Sequence, residues 1–257
     1  MKISATIIAL NEERQLERCI RSLQEVVEEV ILVDSGSQDR TCEVGEASGA
    51  RVCRRPFTNF ADQKNYATFQ ASHDWILSLD ADECLSRELR ARLLDLKQAS
   101  VQVDAYAFPR RAHYLGRWIR HSGWYPDYKV RLFHKSKARW EGKFVHESVV
   151  VNGRVSRIEA DLLHYTCDSI AEHLQRLDHY TTLAAQSMLE EGRDPSIRGL
   201  LGSSVSAFVK AYVLRAGFLD GRQGVIIAVL ASYYNFLKQA KLWEMRRSAG
   251  GSSGRQT

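Results

Sequence analysis

The sequence predicts an α/β fold: a mainly parallel sheet flanked by helices, with a C-terminal helical extension. Three observations carry this. Apolar runs of strand length alternate with helical patterns through about the first hundred residues, as in a βαβ chain. The runs are apolar on both faces, the mark of strands covered by helices on both sides. Beyond residue 167 only helical patterns remain.

Residues 3–10 form the first strand run, and Asn11 is placed to cap a helix whose Leu16, Ile20 and Leu23 recur at helical spacing. Val30-Ile31-Leu32-Val33 is the second strand and ends at Asp34. Ser35-Gly36-Ser37-Gln38-Asp39 is turn chemistry, with Asp39 capping the helix that bears Val44 and Ala47. Arg51-Val52-Cys53 is a short third strand, a helix runs from about Phe60 to Ala71, and Trp75-Ile76-Leu77-Ser78-Leu79 is the fourth strand. Such an alternation implies right-handed crossovers. From Ala105 the pattern changes to short strand-like pieces at 106–109, 129–133, 149–151 and 161–165.

Ser169-Ile170-Ala171-Glu172 is a capping box that opens a helix with Leu174, Leu177, Thr181, Ala184 and Met188 on one face, ended by Gly192 and Pro195. Two further helical stretches carry Leu201/Val205/Phe208/Tyr212 and Ile226/Val229/Tyr233/Phe236, flanked by Lys210, Arg215, Arg222, Lys238 and Lys241. The longest uncharged run, 224–237, is too short to cross a bilayer and suits a helix lying in its interface, or one packed on the first domain or a second subunit. The expected organisation is a first domain over 1–166, split at 104/105 into two halves, a helical region over 167–247, and a flexible tail over 248–257.

At 257 residues the chain is long enough for a full core. Its five cysteines are scattered with no C-x-x-C pair, which argues against a disulfide framework or a zinc site and fits a reducing cytoplasm. The N-terminus reads as a strand and not an export signal. Net charge is +5, but between Arg110 and Lys143 ten basic residues face only Asp127 and Glu141. That segment favours an anionic partner, with a solvated basic surface as the plain alternative. Trp118, Trp124, Tyr125, Tyr128 and Trp140 interleave with its cations. Aromatic faces stack on sugar rings and cations pair with phosphates, so an acceptor carrying both fits better than nucleic acid, for which no reading motif is present.

Asp80-Ala81-Asp82, followed at once by Glu83, stands at the end of the fourth strand run. Open α/β sheets bind ligands at such strand ends, and crowded carboxylates there suit Mg²⁺ or Mn²⁺ held together with substrate phosphates. A solvated acidic turn before the next helix is the alternative. Taken in order, Asn11-Glu12, the Asp34 to Thr41 segment, Lys64-Asn65 and Asp80-Ala81-Asp82 resemble glycosyltransferase family 2, the inverting nucleotide-sugar enzymes of the GT-A (Rossmann-like nucleotide-diphospho-sugar transferase) fold. The resemblance covers Met1 to about Tyr165. Asp80 to Glu83, Arg131-Leu132-Phe133, Val145-His146-Glu147 and Gly217-Phe218-Leu219-Asp220-Gly221 resemble the branch containing lipooligosaccharide and lipopolysaccharide core β-1,4-glucosyltransferases.

The resemblance implies a role for each motif. Ala9, Leu10, Asn11 and Glu12 would border the base and ribose; Asp34 would accept a hydrogen bond from a uracil N–H, or else simply form its turn. Lys64 would place its charge on the diphosphate, and Asp80, Ala81 and Asp82 would bring the metal to it, Asp82 as the likelier ligand, with His164 completing the metal shell or serving structure alone. Glu147 is the first choice of base for the acceptor hydroxyl and Asp127 the second; either could be a paired surface acid. Trp124, Tyr125 and Arg131 would meet the acceptor. The implied reaction is transfer of a hexose, glucose from UDP-glucose, to a lipid-linked inner-core acceptor, on the inner face of the bacterial inner membrane. A polyprenyl-phosphate or capsule acceptor stays open, as do a nucleotidyltransferase, which would want a Gly-rich basic loop absent here, and a non-catalytic glycan-binding module.

Overall fold

A computed structural model describes residues 1–99, 101–142 and 147–251. It divides into two compact units: Met1–Arg111 with Pro126–Tyr165, and Ala112–Tyr125 with the chain from Thr166 onward.

The first unit opens with β1 (Ile3–Ala9), α1 (Leu16–Ser22), β2 (Glu29–Asp34), α2 (Thr41–Ala47), β3 (Arg51–Arg54), α3 (Phe60–Gln70) and β4 (Trp75–Asp80). The strands lie parallel in the order β3-β2-β1-β4. One face packs Ile3, Ala5, Ile7, Leu32 and Leu77 against Leu16 and its neighbours on α1; the other packs Ile31, Val33 and Ile76 against α3. Burial on both faces is why these strands read as unbroken apolar runs. Gly45 lets α2 lie close on β2, since a Cβ there would stand 2.5 Å from Leu32 Cδ2.

One expectation fails at Asn11, which caps no helix. It sits in the left-handed region at φ +57°, and α1 begins only at Leu16. Its backbone N donates to Ser37 Oγ (2.9 Å), and its own Oδ1 accepts from Gln38 N (2.8 Å). Cross-bracing between two loops competes here with helix capping, as a short amide side chain permits.

β5 (Glu83–Leu85) and α4 (Arg87–Gln98) follow, and then β6 (Ala105–Tyr114), β7 (Arg117–Trp118), β8 (Asp127–His134), β9 (Ala138–Glu141), β10 (Ser148–Val151), β11 (Val155–Arg157) and β12 (Leu162–Cys167). β8 runs antiparallel to β4, and the sheet continues β8-β6-β12-β5; β9 and β10 make a separate hairpin. The fold is thus α/β as predicted, with an antiparallel half beyond β4.

In the second unit α5 (Ile170–Glu190) starts at the predicted box, Ser169 Oγ accepting from Glu172 N at 3.1 Å, and stops before Gly192 at φ +72°. α6 (Ser203–Val209) lies between two π-helical turns, Arg198–Gly202 and Lys210–Leu214. A 3₁₀ turn, Gly217–Asp220, leads into α7 (Gly221–Gly251). α7 runs into the tail expected from 248, whose residues 252–257 lie outside the described residues. Among those described, no helix is long and apolar enough to cross a membrane.

Candidate active site

Register sets the site. Ala9 of β1 pairs with Asp34 on one side, and Ile8 pairs with Asp80 on the other, so both acids stand at the carboxyl edge of the parallel strands. Antiparallel pairing of β12 with β5 puts His164 opposite Glu83, and Tyr165 N donates to Asp82 O at 2.9 Å. His164 Nε2 consequently lies 3.1 Å from Asp82 Oδ2.

Lys64 is the hinge of the charge network. Carried by α3 and only 2% exposed, it puts Nζ 2.8 Å from Asp80 Oδ1 and 3.0 Å from Glu147 Oε1. The ammonium also lies 4.3 Å from the centre of the Trp140 ring, a cation–π distance. The next residue, Asn65, pins the Trp140 backbone: its Nδ2 donates to Trp140 O at 2.9 Å, and Trp140 N donates to its Oδ1 at 3.0 Å. Two consecutive residues of one helix thereby hold the cation and the aromatic surface beneath it.

Arg131 closes the network from β8. Its Nη2 is 2.7 Å from both Asp80 Oδ2 and Glu83 Oε1. Glu83 is wholly buried, and its other oxygen accepts from Asp80 N at 3.1 Å. Burial pushes the Asp80 carboxyl up, but the charges of Arg131 and then Lys64 outweigh it and hold the group well below the ordinary carboxylate range. Burial likewise lowers Arg131, and Asp80 and Glu83 reverse that into a net rise. Both groups stay ionised.

The remaining expected residues fall into separate places. Asp34 is buried, and its carboxylate accepts from Gly36 N (2.9 Å), Ser37 N (3.0 Å) and the Ser37 hydroxyl, so it shapes its own turn. Glu12 N donates to Thr41 Oγ1 at 2.8 Å, Ala9 O accepts from Ser35 N at 2.9 Å, and Leu10 is exposed at the same edge. Ala81 is buried between the two aspartates. Asp127 pairs with Arg110 (2.8 Å) and Lys129 (3.1 Å); burial raises its carboxyl, and Arg110 and Lys129 bring it below the ordinary range. Arg131, expected at the acceptor, is buried and pairs with Asp80 and Glu83. Trp124 belongs to the second unit, its ring edge-on to Tyr114 with centroids 5.2 Å apart, and Tyr125 follows it there. Val145 and His146, which lead into Glu147 in the sequence motif, lie outside the described residues.

Sequence reasoning missed three roles. Glu83 and Arg131 act as a buried pair, Asn65 clamps Trp140, and Arg110 reaches Asp127 while standing 3.5 Å from Glu83. The signal for the first was present, since a third carboxylate directly after a strand-end pair needs a counter-charge when buried. The other two depend on strand placement alone.

The family model described as Glycosyl transferase family 2 matches residues 4–152. An uncharacterized glycosyltransferase of Rickettsia felis is 32% identical over 262 residues, covering 95% of this chain and 90% of that protein. A lipopolysaccharide core biosynthesis glycosyltransferase, LpsC of Rhizobium meliloti, is 31% identical over 251 residues, covering 95% and 93%. Among solved structures, S. aureus TarS 1–349 in complex with UDP-GlcNAc aligns over 97% of this chain and 92% of that chain, with a TM-score of 0.50 and 14% identity, a likeness of fold.

Proposed function

Because the chain belongs to glycosyl transferase family 2, we propose that its acid and lysine cluster transfers a hexose, glucose from UDP-glucose, with inversion to a lipid-linked inner-core oligosaccharide of lipopolysaccharide. One observation carries the chemistry. Lys64 joins a strand-end aspartate, Asp80, to Glu147, which lies 83 positions beyond the lysine, within one hydrogen-bonded cluster. The cation that would meet the donor's diphosphate is therefore shared between a strand-end aspartate and the group that would deprotonate the acceptor. The chain's similarity to LpsC, a lipopolysaccharide core biosynthesis glycosyltransferase, supports the acceptor class.

In this reading Asp34, Ala9 and the Asn11-Glu12 loop receive the nucleoside at the strand edge, and Lys64 turns its charge to the diphosphate. Drawing Lys64 toward phosphate oxygens frees Glu147 to take the proton of an incoming hydroxyl as the glycosidic bond forms. Asp127, already held by two cations, is the weaker candidate base. Arg131 and Lys64 keep Asp80 ionised, and Glu83 fixes it by accepting its backbone N–H, which is a positioning role.

Asp82 and His164 would hold Mg²⁺ or Mn²⁺. An oxygen and an imidazole nitrogen 3.1 Å apart make a two-residue donor set. Among the described residues no group of three or more His, Cys, Asp or Glu side chains is gathered for a metal, which suits an ion that takes its other ligands from diphosphate and water. Asp80 is bound by Lys64 and Arg131 and is the poorer ligand. A bound divalent ion would neutralise charge on the leaving nucleoside diphosphate.

The deciding experiment is UDP-glucose turnover with and without extracted lipid acceptor. Mn²⁺-dependent hydrolysis, faster transfer to lipid, and a loss of about a thousandfold in Asp82→Ala are the expected results. No turnover with any nucleotide sugar would sink the enzyme reading. Transfer that survives Glu147→Gln and Asp127→Asn, singly and together, would move the acceptor to a polyprenyl phosphate, which needs no strong base. We place the protein at the inner face of the bacterial inner membrane, where such an acceptor is presented.

A further inference from the structure

The chain between Asp194 and Asp220 has its polarity inside out. From Arg198 to Asp220 it forms the two π-helical turns, α6 and the 3₁₀ turn, and it packs on α7. Apart from Asp220 at its end, what it buries fully is small, Ser204, Ala211 and Gly217, with Leu200, Phe208 and Tyr212 half-buried. A Cβ on Gly217 would meet Ala211 O and Ser122 Oγ at 2.7 Å, so nothing larger fits there. What it exposes is large. Ile197, Leu201, Val205, Val209 and Val213 recur every fourth residue and are all exposed, Val205 at 63% and Ile197 at 79%, and Leu214 beside the row reaches 74%. An ordinary amphipathic helix does the reverse.

The π-turns also narrow the spread of this row. On an ideal α-helix a four-residue step overshoots a full turn by about 40°, so five such residues would wind off one side. The i→i+5 turns at either end of α6 are wider than an α-turn and take up part of that drift. The inner hydroxyls need no water: Ser204 Oγ donates to Leu200 O at 2.6 Å, and the Ser203 hydroxyl to Gly199 O.

Charge points to the occupant. Between Asp194 and Asp220 the sequence holds Arg198, Lys210 and Arg215 and no acid, and Lys210 and Arg215 are exposed. A second copy of this face would set those cations against their own kind. An anionic bilayer offers hydrocarbon to the apolar row and phosphate to the cations.

We propose that residues 197–219 are the element with which this protein lies in an anionic lipid leaflet, with Leu201, Val205 and Leu214 entering the acyl boundary. The purpose of that contact rests on the lipid-acceptor reading above; the contact itself rests on the exposed row.

The test is co-sedimentation of the full chain with phosphatidylglycerol/phosphatidylcholine vesicles, without sugar nucleotide. Replacing Leu201→Ser, Val205→Ser and Leu214→Ser together lowers vesicle partitioning about a hundredfold, with the melting midpoint and UDP-glucose hydrolysis unchanged. Lys210→Gln with Arg215→Gln weakens binding to anionic vesicles and removes most of its salt dependence. The proposal falls if wild type stays in the supernatant at low salt, or if the triple variant sediments like wild type. It falls equally if the triple variant loses fold stability, or if sedimentation velocity shows a wild-type dimer that the triple variant splits. Vesicle binding without sugar transfer would overturn the catalytic reading and leave this one standing.

Discussion

Asp80, half-buried, and Asp220, buried, are carboxylates held by opposite means, one in each unit. Asp80 is surrounded by cations, Lys64 Nζ at 2.8 Å and Arg131 Nη2 at 2.7 Å. Asp220, 1% exposed, is held by a loop distant in sequence: Arg120 N at 3.3 Å, His121 N at 2.8 Å and His121 Nδ1 at 3.1 Å. A cation can turn to a phosphate when one arrives, whereas a backbone N–H is fixed by its chain. On the proposed reading the first arrangement exchanges partners and the second holds a fold.

Replacing each acid with its amide tests that distinction. Asp80→Asn removes one partner from a buried charge network, a change that typically costs about 3–5 kcal/mol. It should also cut donor turnover in the fraction that stays folded, because Lys64 is then held by Glu147 alone. Stability is read by urea unfolding and turnover by UDP release. A variant that turns over donor at the wild-type rate would show that the cation cage serves structure only.

Asp220→Asn should cost less, about 1–3 kcal/mol, because an amide group faces backbone donors that one of its two ends cannot satisfy. Donor hydrolysis per folded molecule should not change. If instead hydrolysis falls while urea unfolding is unaltered, Asp220 belongs to the chemistry and the contrast with Asp80 is lost.

The same contrast governs what could be read from sequence. The parallel strands were legible because burial on both faces leaves unbroken apolar runs, and the Ser169 box was legible because capping is local chemistry. The strand-end acids were visible for the same reason: a run such as Trp75 to Leu79 has to stop somewhere, and the acids mark the place. The partners of those acids were not visible. Lys64 meets Glu147 across 83 positions, and Arg131 meets Glu83 only because β8 lies next to β4. Asn11 misled because capping and loop bracing use the same side-chain oxygen. The outward row from Ile197 to Val213 hid in its spacing, since a period of four drifts around an α-helix and the π-turns that reduce the drift are not written in the sequence pattern.

A last, smaller effect separates the two regions by pH. In the second unit Tyr114 Oη and His173 Nδ1 are 2.7 Å apart, with the Trp124 ring beside them and Arg176 and Glu172 on the same helix as the histidine. Burial, then the nearby Cys167, pushes the Tyr114 hydroxyl up to about 12, so it remains a donor and Nδ1 is the acceptor. Burial and then Arg176 lower His173 against the opposing pull of Glu172. A histidine lowered in the folded state contributes stability above its unfolded value, about 6.5, and loses it as pH falls through the lower folded value. Asp80, depressed in the folded state, contributes above the unfolded carboxylate value of about 3.9 and loses that contribution only in stronger acid. Melting temperature should therefore fall in two limbs, a shallow one beginning below about pH 6.5 and a steep one below about pH 4. His173→Gln should flatten the first limb and leave the second; Asp80→Asn should do the reverse. A His173→Gln profile identical to wild type would show that protonation of this histidine leaves the second unit intact.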